Sequence, residues 1–189
     1  MARPRLTGIL LVGGASTRFG SPKALAVFRG ETLAERAWRL LGEACDERLA
    51  VGKRADALVL PFELVDDDTE IRAALAGIVA GLSAAAAQRA VVLPVDMPLV
   101  TPGLLRRLGE VCSEAAVTKM GPLPAAFATR ALPALERRLA EGRLALHEAL
   151  AELATRRIDV DAHLLANVNT PDDLSSLGRT PRGSRRAPW

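Results

Sequence analysis

Cysteine, histidine and lysine are all scarce in this chain of 189 residues, and each scarcity removes a class of chemistry. The two cysteines, Cys45 and Cys112, lie far apart inside helical patterns. No thiolate metal spacing can be built from them, and they read as buried thiols of a reducing compartment. The two histidines, His147 and His163, exclude a His-rich zinc site. Any metal must then be a hard ion held by carboxylates and phosphate. Only Lys23, Lys53 and Lys119 are lysines among 25 basic residues. A chain that writes arginine almost everywhere else points, at position 23, to a need for a compact point charge.

Long hydrophobic runs are also missing. The longest uncharged stretch, residues 73–87, is alanine-rich and broken by Gly77 and Gly81. It reads as a buried or half-buried helix, too weakly apolar to span a membrane. Arg3 and Arg5 precede an apolar run at 6–12 without a convincing cleavage site. That run is expected to be a first strand rather than a signal peptide, which places the protein in the cytoplasm with no membrane partner. The formal net charge is +3, and Arg179, Arg182, Arg185 and Arg186 crowd the C-terminus. The remainder is close to neutral, so nucleic acid is not the expected partner. The expected organisation is one domain over 1–177 and a disordered Arg-rich tail over 178–189.

Within the domain, strand and helix patterns alternate. Strands are expected at 6–12, 49–51, 62–65, 90–95, 115–118, 124–128 and 156–160. Helices are expected at 32–44, 71–85, 104–111, 131–140 and 145–153. Residues 90–95 form a continuous apolar run, typical of a strand covered on both faces. The alternation predicts an α/β fold, a mostly parallel sheet with helices on both sides. In such sheets ligands bind beyond the carboxyl ends of the strands, where strand order reverses.

Three segments carry chemistry. The first runs from Leu11 through Val12, Gly13 and Gly14 to Arg18 and Lys23, a loop of small residues bracketed by two cations. Small residues let backbone N–H groups approach a polyphosphate, and Arg18 and Lys23 can neutralise its oxygens. The loop is not a Walker A sequence, which needs Lys directly after Gly, nor does its glycine spacing fit a dinucleotide fingerprint. The second is Asp96-Met97-Pro98, after the most apolar strand. A single carboxylate there either caps the turn or holds Mg²⁺ beside a nucleotide. The third is Asn167-Val168-Asn169-Thr170-Pro171-Asp172-Asp173-Leu174. Thr170 reads as a helix N-cap, with Pro171 in the first turn and two acids favourable to the dipole. The two asparagines before the cap share one face of an extended segment, where an amide oxygen can meet a metal or its water. Asp66, Asp67 and Asp68 form a solvated loop or supply one contact to a ribose, a base or the acceptor.

In this order, over residues 6–177, these motifs resemble the MobA-type molybdenum cofactor guanylyltransferase family. The resemblance implies a Rossmann-like three-layer nucleotidyltransferase fold. It implies transfer of GMP from GTP to the terminal phosphate of Mo-molybdopterin, forming the guanine dinucleotide cofactor and releasing pyrophosphate. It places Leu11, Val12, Gly13 and Gly14 against guanine and phosphates, and Arg18 and Lys23 on the triphosphate. Asp96 would hold Mg²⁺, with Asn169, and Asn167 as second candidate, completing its surroundings. Asp66 falls at an acidic nucleotide contact, with Asp67 nearly as good a fit. Residues 121–127 and the region near Arg143 would face the pterin, and contacts with molybdoenzymes or chaperones are implied.

The chain departs from the family pattern at Pro22, where an Asp is usual. It departs again at Ala73-Ala74, where Gly-Pro is common, and at Gly52, where an Asn often stands. Gly13-Gly14 and Asn167-x-Asn169 favour guanine over cytosine, since cytidylyl relatives tend to carry Ala-Gly and Asp there. The alternatives are a cytidylyl- or other nucleotidyltransferase of the same fold and a non-catalytic GTP-binding maturation partner. A dinucleotide-dependent oxidoreductase is argued against by the glycine spacing.

Overall fold

The apolar runs form the middle of a seven-stranded sheet in the computed structural model, which describes residues 4–13 and 22–178. The strands are β1 (Thr7–Leu11), β4 (Glu47–Gly52), β5 (Leu64–Asp66), β6 (Arg89–Pro94), β7 (Ala115–Thr118), β8 (Gly121–Ala128) and β9 (Thr155–Ile158). Their spatial order is β5-β4-β1-β6-β8-β7-β9. All pairings are parallel except those of β8, which runs antiparallel to both β6 and β7.

Side chains alternate across this sheet and feed two cores. On one face Leu10, Val12, Val91 and Leu93 pack under helices α1 (Leu33–Ala44) and α3 (Pro102–Val111). On the other, Ile9, Leu11, Ala90 and Val92 meet α2 (Ala74–Ala84), α4 (Leu132–Ala140) and α5 (Leu146–Glu152). A strand covered on both sides has no polar face, which is why 90–95 reads as an unbroken apolar run. Helix α2 lies unusually close to β1. A Cβ at Gly77 would sit 2.9 Å from Leu11 Cδ2, and one at Gly81 2.7 Å from Ile9 Cγ2. The last helix, α6 (Pro171–Gly178), closes the described chain. The Arg-rich segment beyond it lies outside the described residues, as do Gly14 and Arg18.

Several boundaries differ from the sequence expectation for identifiable reasons. Strand β4 begins at Glu47 rather than 49, because its charged residues find partners. Glu47 accepts from the Ala86 N–H at 2.8 Å and from the Thr7 hydroxyl, while Arg48 lies over the Trp38 ring at 4.5 Å. Phe62 is not in a strand but stacks on Trp38, with ring centroids 4.2 Å apart. The helix expected from 71 starts at Ala74. A hairpin of β2 (Val27–Phe28) and β3 (Glu31–Thr32), not expected from the sequence, turns through Arg29 at φ 54° and Gly30 at φ 88°. Two consecutive positive φ angles are what a tight hairpin of this hand requires, and Arg at the first of them conceals the turn. Helix α1 starts directly afterwards with a capping box: Glu35 N–H donates to Thr32 Oγ1 at 3.1 Å, and Thr32 N–H to Glu35 Oε2 at 2.9 Å.

Neither cysteine lies inside a helix. Each follows the last residue of one, Cys45 half-buried and Cys112 buried. Burial pushes their thiols up to about 12 and about 11 respectively, far from the reactive range. No described helix is long and apolar enough to cross a membrane.

Candidate active site

The chain leaves β1 for β4 and β5 on one side, then returns to lay β6 on the other. The carboxyl ends of β1 and β6 are therefore neighbours at the point where strand order reverses, with Leu11 paired to Pro94 and Val95 N–H donating to Leu11 C=O at 3.0 Å. A crevice opens there. Gly13 leaves one lip of it and Asp96 stands on the other.

Three distant motifs meet at this crevice. Lys23 begins a short 3-10 turn, Lys23–Leu25, seated by the buried Ala24. Its Nζ lies 3.2 Å from Asp96 Oδ2 and 3.3 Å from Asn169 Oδ1. The Asp96 carbonyl accepts from Val168 N–H at 2.8 Å. Val168 is fully buried while Asn167 and Asn169 on either side are exposed, so the asparagine pair is displayed because the residue between them is anchored. Asn169 is held in turn by Asp173, whose Oδ2 accepts from the Asn169 N–H at 2.9 Å and the Thr170 N–H at 2.8 Å. Thr170 Oγ1 accepts from Asp173 N–H at 3.2 Å, closing a reciprocal cap. The Asn169 N–H, followed by the Thr170 hydroxyl and N–H and more weakly by Lys23, holds the Asp173 carboxyl below the usual Asp range. The Asp96 loop is braced from outside by Arg36, whose Nε donates to Pro98 C=O at 2.6 Å and whose guanidinium also pairs with Glu31 at 2.8 Å.

The donor set suits a hard cation. A carboxylate oxygen and an amide oxygen converge on one positive group, the Lys23 ammonium, and neither is a soft ligand. Among the described residues no group of three or more His, Cys, Asp or Glu could hold a metal by itself. An ion here would take most of its ligands from water and phosphate, as Mg²⁺ does.

Two cavities flank this centre, with Pro94 lining both. One is walled by Leu11, Gly13, Gly52 and Gly77 and carries Lys53, Asp56, Asp67 and Arg72. The other lies beside Asp96 and Asn167 and is walled by Met97, Met120, Pro122 and Leu123. Of the sequence candidates, Leu11 and Gly13 face the first cavity, whereas the Val12 side chain belongs to the core under α1. Asp66 lines neither of these two cavities. Its oxygens accept the N–H groups of Asp68 and Arg54, both at 3.1 Å, and those donors hold its carboxyl low. Asp67 is the member of that acidic run that lines the first cavity. Residues 121–123 reach the second cavity, but Ala125, Ala126 and Phe127 are buried in the sheet, and Arg143 lines neither cavity, pairing instead with Glu141 and Glu152.

Lys53, which the sequence reading did not single out as a site candidate, also lines the first cavity. Its ammonium bonds Asp67 Oδ1 at 2.8 Å and the Thr69 carbonyl. The rarity of lysine, used above for Lys23, marked position 53 equally. Gly52 before it cannot carry the asparagine common in the family without moving its neighbours, since a Cβ there would lie 2.9 Å from Val12 Cγ2.

Comparison with known proteins shows the family to which the chain belongs. Residues 8–157 match the model of the MobA-like NTP transferase domain. A probable molybdenum cofactor guanylyltransferase from Chloroflexus aggregans is 35% identical over 89% of this chain and 91% of its own length. The molybdenum cofactor guanylyltransferase of Pseudomonas putida strain F1 is 32% identical over 92% of this chain and 97% of its own. Among solved structures, molybdopterin-guanine dinucleotide biosynthesis protein A from Archaeoglobus fulgidus superposes with a TM-score of 0.77. It is 28% identical, and the match covers 91% of this chain and 96% of that one.

Proposed function

Because the chain belongs to the MobA-like NTP transferase family, we propose that it is a molybdenum cofactor guanylyltransferase. It would join GMP from GTP to the terminal phosphate of Mo-molybdopterin and release pyrophosphate. The carrying observation is the meeting of Lys23, Asp96 and Asn169 between two cavities. That arrangement suits a reaction between two bound substrates whose phosphates meet in the middle.

The reaction is an in-line displacement. An oxygen of the acceptor phosphate forms a bond to the α-phosphorus of GTP as the bond from that phosphorus to the β-phosphate oxygen breaks. The nucleophile is already anionic, so no general base is needed, and positioning with charge neutralisation carries the rate. Lys23 supplies a positive point charge at the reacting phosphates. Asp96 and Asn169 would hold Mg²⁺, which when bound neutralises phosphate oxygens. Gly13 lets backbone approach the nucleotide without a Cβ in the way, and the Leu11–Gly13 side receives the base. The apolar wall of Met97, Met120, Pro122 and Leu123 suits the body of an uncharged ring system on the acceptor. Two widely separated, high-pKa thiols are compatible with a cytoplasmic site of action.

The test is thermal unfolding with GTP, CTP and ATP, each with and without Mg²⁺, followed by pyrophosphate release with Mo-molybdopterin. At about a hundred times its dissociation constant a nucleotide adds roughly 2.7 kcal/mol. Selective stabilisation by GTP, lost in Lys23→Ala, supports the reading. Preference for CTP moves the protein to a cytidylyltransferase, and no response to any nucleotide overturns it.

A further inference from the structure

Between Lys23 and helix α1 the chain folds into one small unit. The 3-10 turn at Lys23–Leu25 leads into the β2–β3 hairpin, and Leu33 N–H donates to Ala26 C=O at 2.9 Å, joining the start of α1 to the base of that hairpin. Two cations at opposite ends of the unit reach the same turn after β6. Lys23 Nζ meets the Asp96 carboxylate at 3.2 Å. Arg36 Nε donates to the carbonyl of Pro98, two residues further on, at 2.6 Å. The turn's own backbone bonds are weak by comparison. Met97 N–H to Pro94 C=O and Val100 N–H to Met97 C=O are both 3.4 Å long, beyond the usual range.

Arg36 is itself held in place. Its side chain is 16% exposed, Nη1 pairs with Glu31 at 2.8 Å, and the guanidinium lies 5.4 Å from the centroid of the buried Phe28 ring. Phe28 and Glu31 are cross-strand partners, so the hairpin offers a ring face and a carboxylate to one guanidinium. A hairpin this short has little stability of its own. What it does here is fix a planar fork, leaving Nε a set direction that a flexible ammonium would not have. Pro98 is buried, and a buried carbonyl needs a donor. That need alone does not explain why the donor belongs to the same unit as Lys23. With both ends of the unit gripping residues 96–98, the distance between Lys23 and the Asp96 carboxylate is set by one rigid piece of chain.

We propose that Arg36, locked by Glu31 and Phe28, is a positioning residue of the transfer reaction. It fixes the Asp96 carboxylate where Lys23 and a divalent cation can share it. The proposal rests on the reading of Asp96 as the metal-holding carboxylate, and deepens it by naming what aims that carboxylate.

The experiment measures equilibrium binding of GTP with and without Mg²⁺, and kcat and KM for pyrophosphate release, in the full-length parent and in Arg36→Met, Glu31→Gln, Arg39→Met and Asp96→Ala. The decisive quantity is the factor by which Mg²⁺ raises GTP affinity. Arg36→Met, which keeps an aliphatic stem against Phe28, is expected to lose most of that gain while its metal-free GTP affinity stays at the parent level. Its kcat is expected to fall about 10- to 100-fold, the range for losing a partner that orients a metal ligand, with KM for the acceptor unchanged. Glu31→Gln loosens Arg36 without removing it and is expected to shift both readouts the same way by less. Combined with Arg36→Met it is expected to add nothing, since residues acting through one network are not additive. Arg39→Met removes the other cation on Glu31 without touching the turn and is expected to match the parent. A merely structural Arg36 would lower the melting temperature and leave the Mg²⁺ gain of the folded protein unchanged. A parental gain in Arg36→Met overturns the proposal, and if that variant fails to fold, a parental gain in Glu31→Gln does so. In either case loss of the gain in Asp96→Ala keeps the metal reading standing. A parent whose GTP affinity ignores Mg²⁺, or an Asp96→Ala variant that retains the gain, overturns both.

Discussion

Lys23 and Asp96 are 73 positions apart in the chain and 3.2 Å apart in the fold, with side chains 16% and 27% exposed. A pair with this much water contact contributes about 1 kcal/mol or less to stability. Its purpose is therefore better sought in charge placement. Lys23→Ala and Asp96→Ala are each expected to lower turnover by about 10²- to 10³-fold, the range for losing a preorganised electrostatic contact, with thermal unfolding almost unchanged. Lys23→Arg is expected to rescue little, because a planar fork does not replace a point charge. Pyrophosphate release beside a melting curve checks both.

Asp173 offers a test by pH. Its carboxyl is held below the ordinary value by the Asn169 N–H and the Thr170 cap. A folded-state pKa that is depressed stabilises fully above the unfolded value, about 3.9 for Asp, and the stabilisation is lost as pH falls through the lower folded value. Asp173→Asn is expected to be less stable than the parent by a constant margin from pH 7 to about 5. That margin shrinks as pH falls below about 4 and closes only once pH has passed the depressed folded-state value, where the parent carboxyl is neutral too. Urea midpoints measured across pH would show it.

Gly81→Ala sets two effects against each other. Alanine gains about 1 kcal/mol of helix propensity over glycine. Its Cβ, however, would meet three atoms of the fully buried Ile9 at 2.7, 2.8 and 3.1 Å, and such overpacking costs about 1–3 kcal/mol. A net destabilisation is expected in chemical denaturation. A stabilised variant would show that α2 can back away from β1.

Arg138 is 1% exposed and pairs with Glu148 at 2.8 Å and Glu152 at 2.5 Å, which are 55% and 45% exposed. Arg138→Met leaves only surface carboxylates behind and is expected to cost about 1 kcal/mol or less. Removing both partners, Glu148→Gln with Glu152→Gln, strands a buried charge and is expected to cost more, about 3–5 kcal/mol. Nucleotide binding is expected to be unchanged in both, since neither lines the cavities described.

The sequence by itself determined the layers and pointed to the strand ends where the candidate site is proposed. The apolar run at 6–12, interrupted by Thr7-Gly8, and the continuous one at 90–95 read as strands, the second covered on both faces, and the alternation around them predicts a mostly parallel sheet. The glycine loop, the Asp96 turn and the Asn167–Asn169 segment were each legible because small, acidic or amide residues interrupt apolar patterns at strand ends. Local pattern carries no information about pairing between distant segments. Only the tertiary structure brought Lys23 onto Asp96 and Asn169, turned β8 antiparallel, hid the hairpin turn behind Arg29, and spent Asp66 on its own loop while leaving Asp67 a carboxylate oxygen open to the cavity. Three adjacent aspartates are equivalent in sequence. The hydrogen bonds their backbone happens to offer each of them are not, and that difference exists only once the strands are paired.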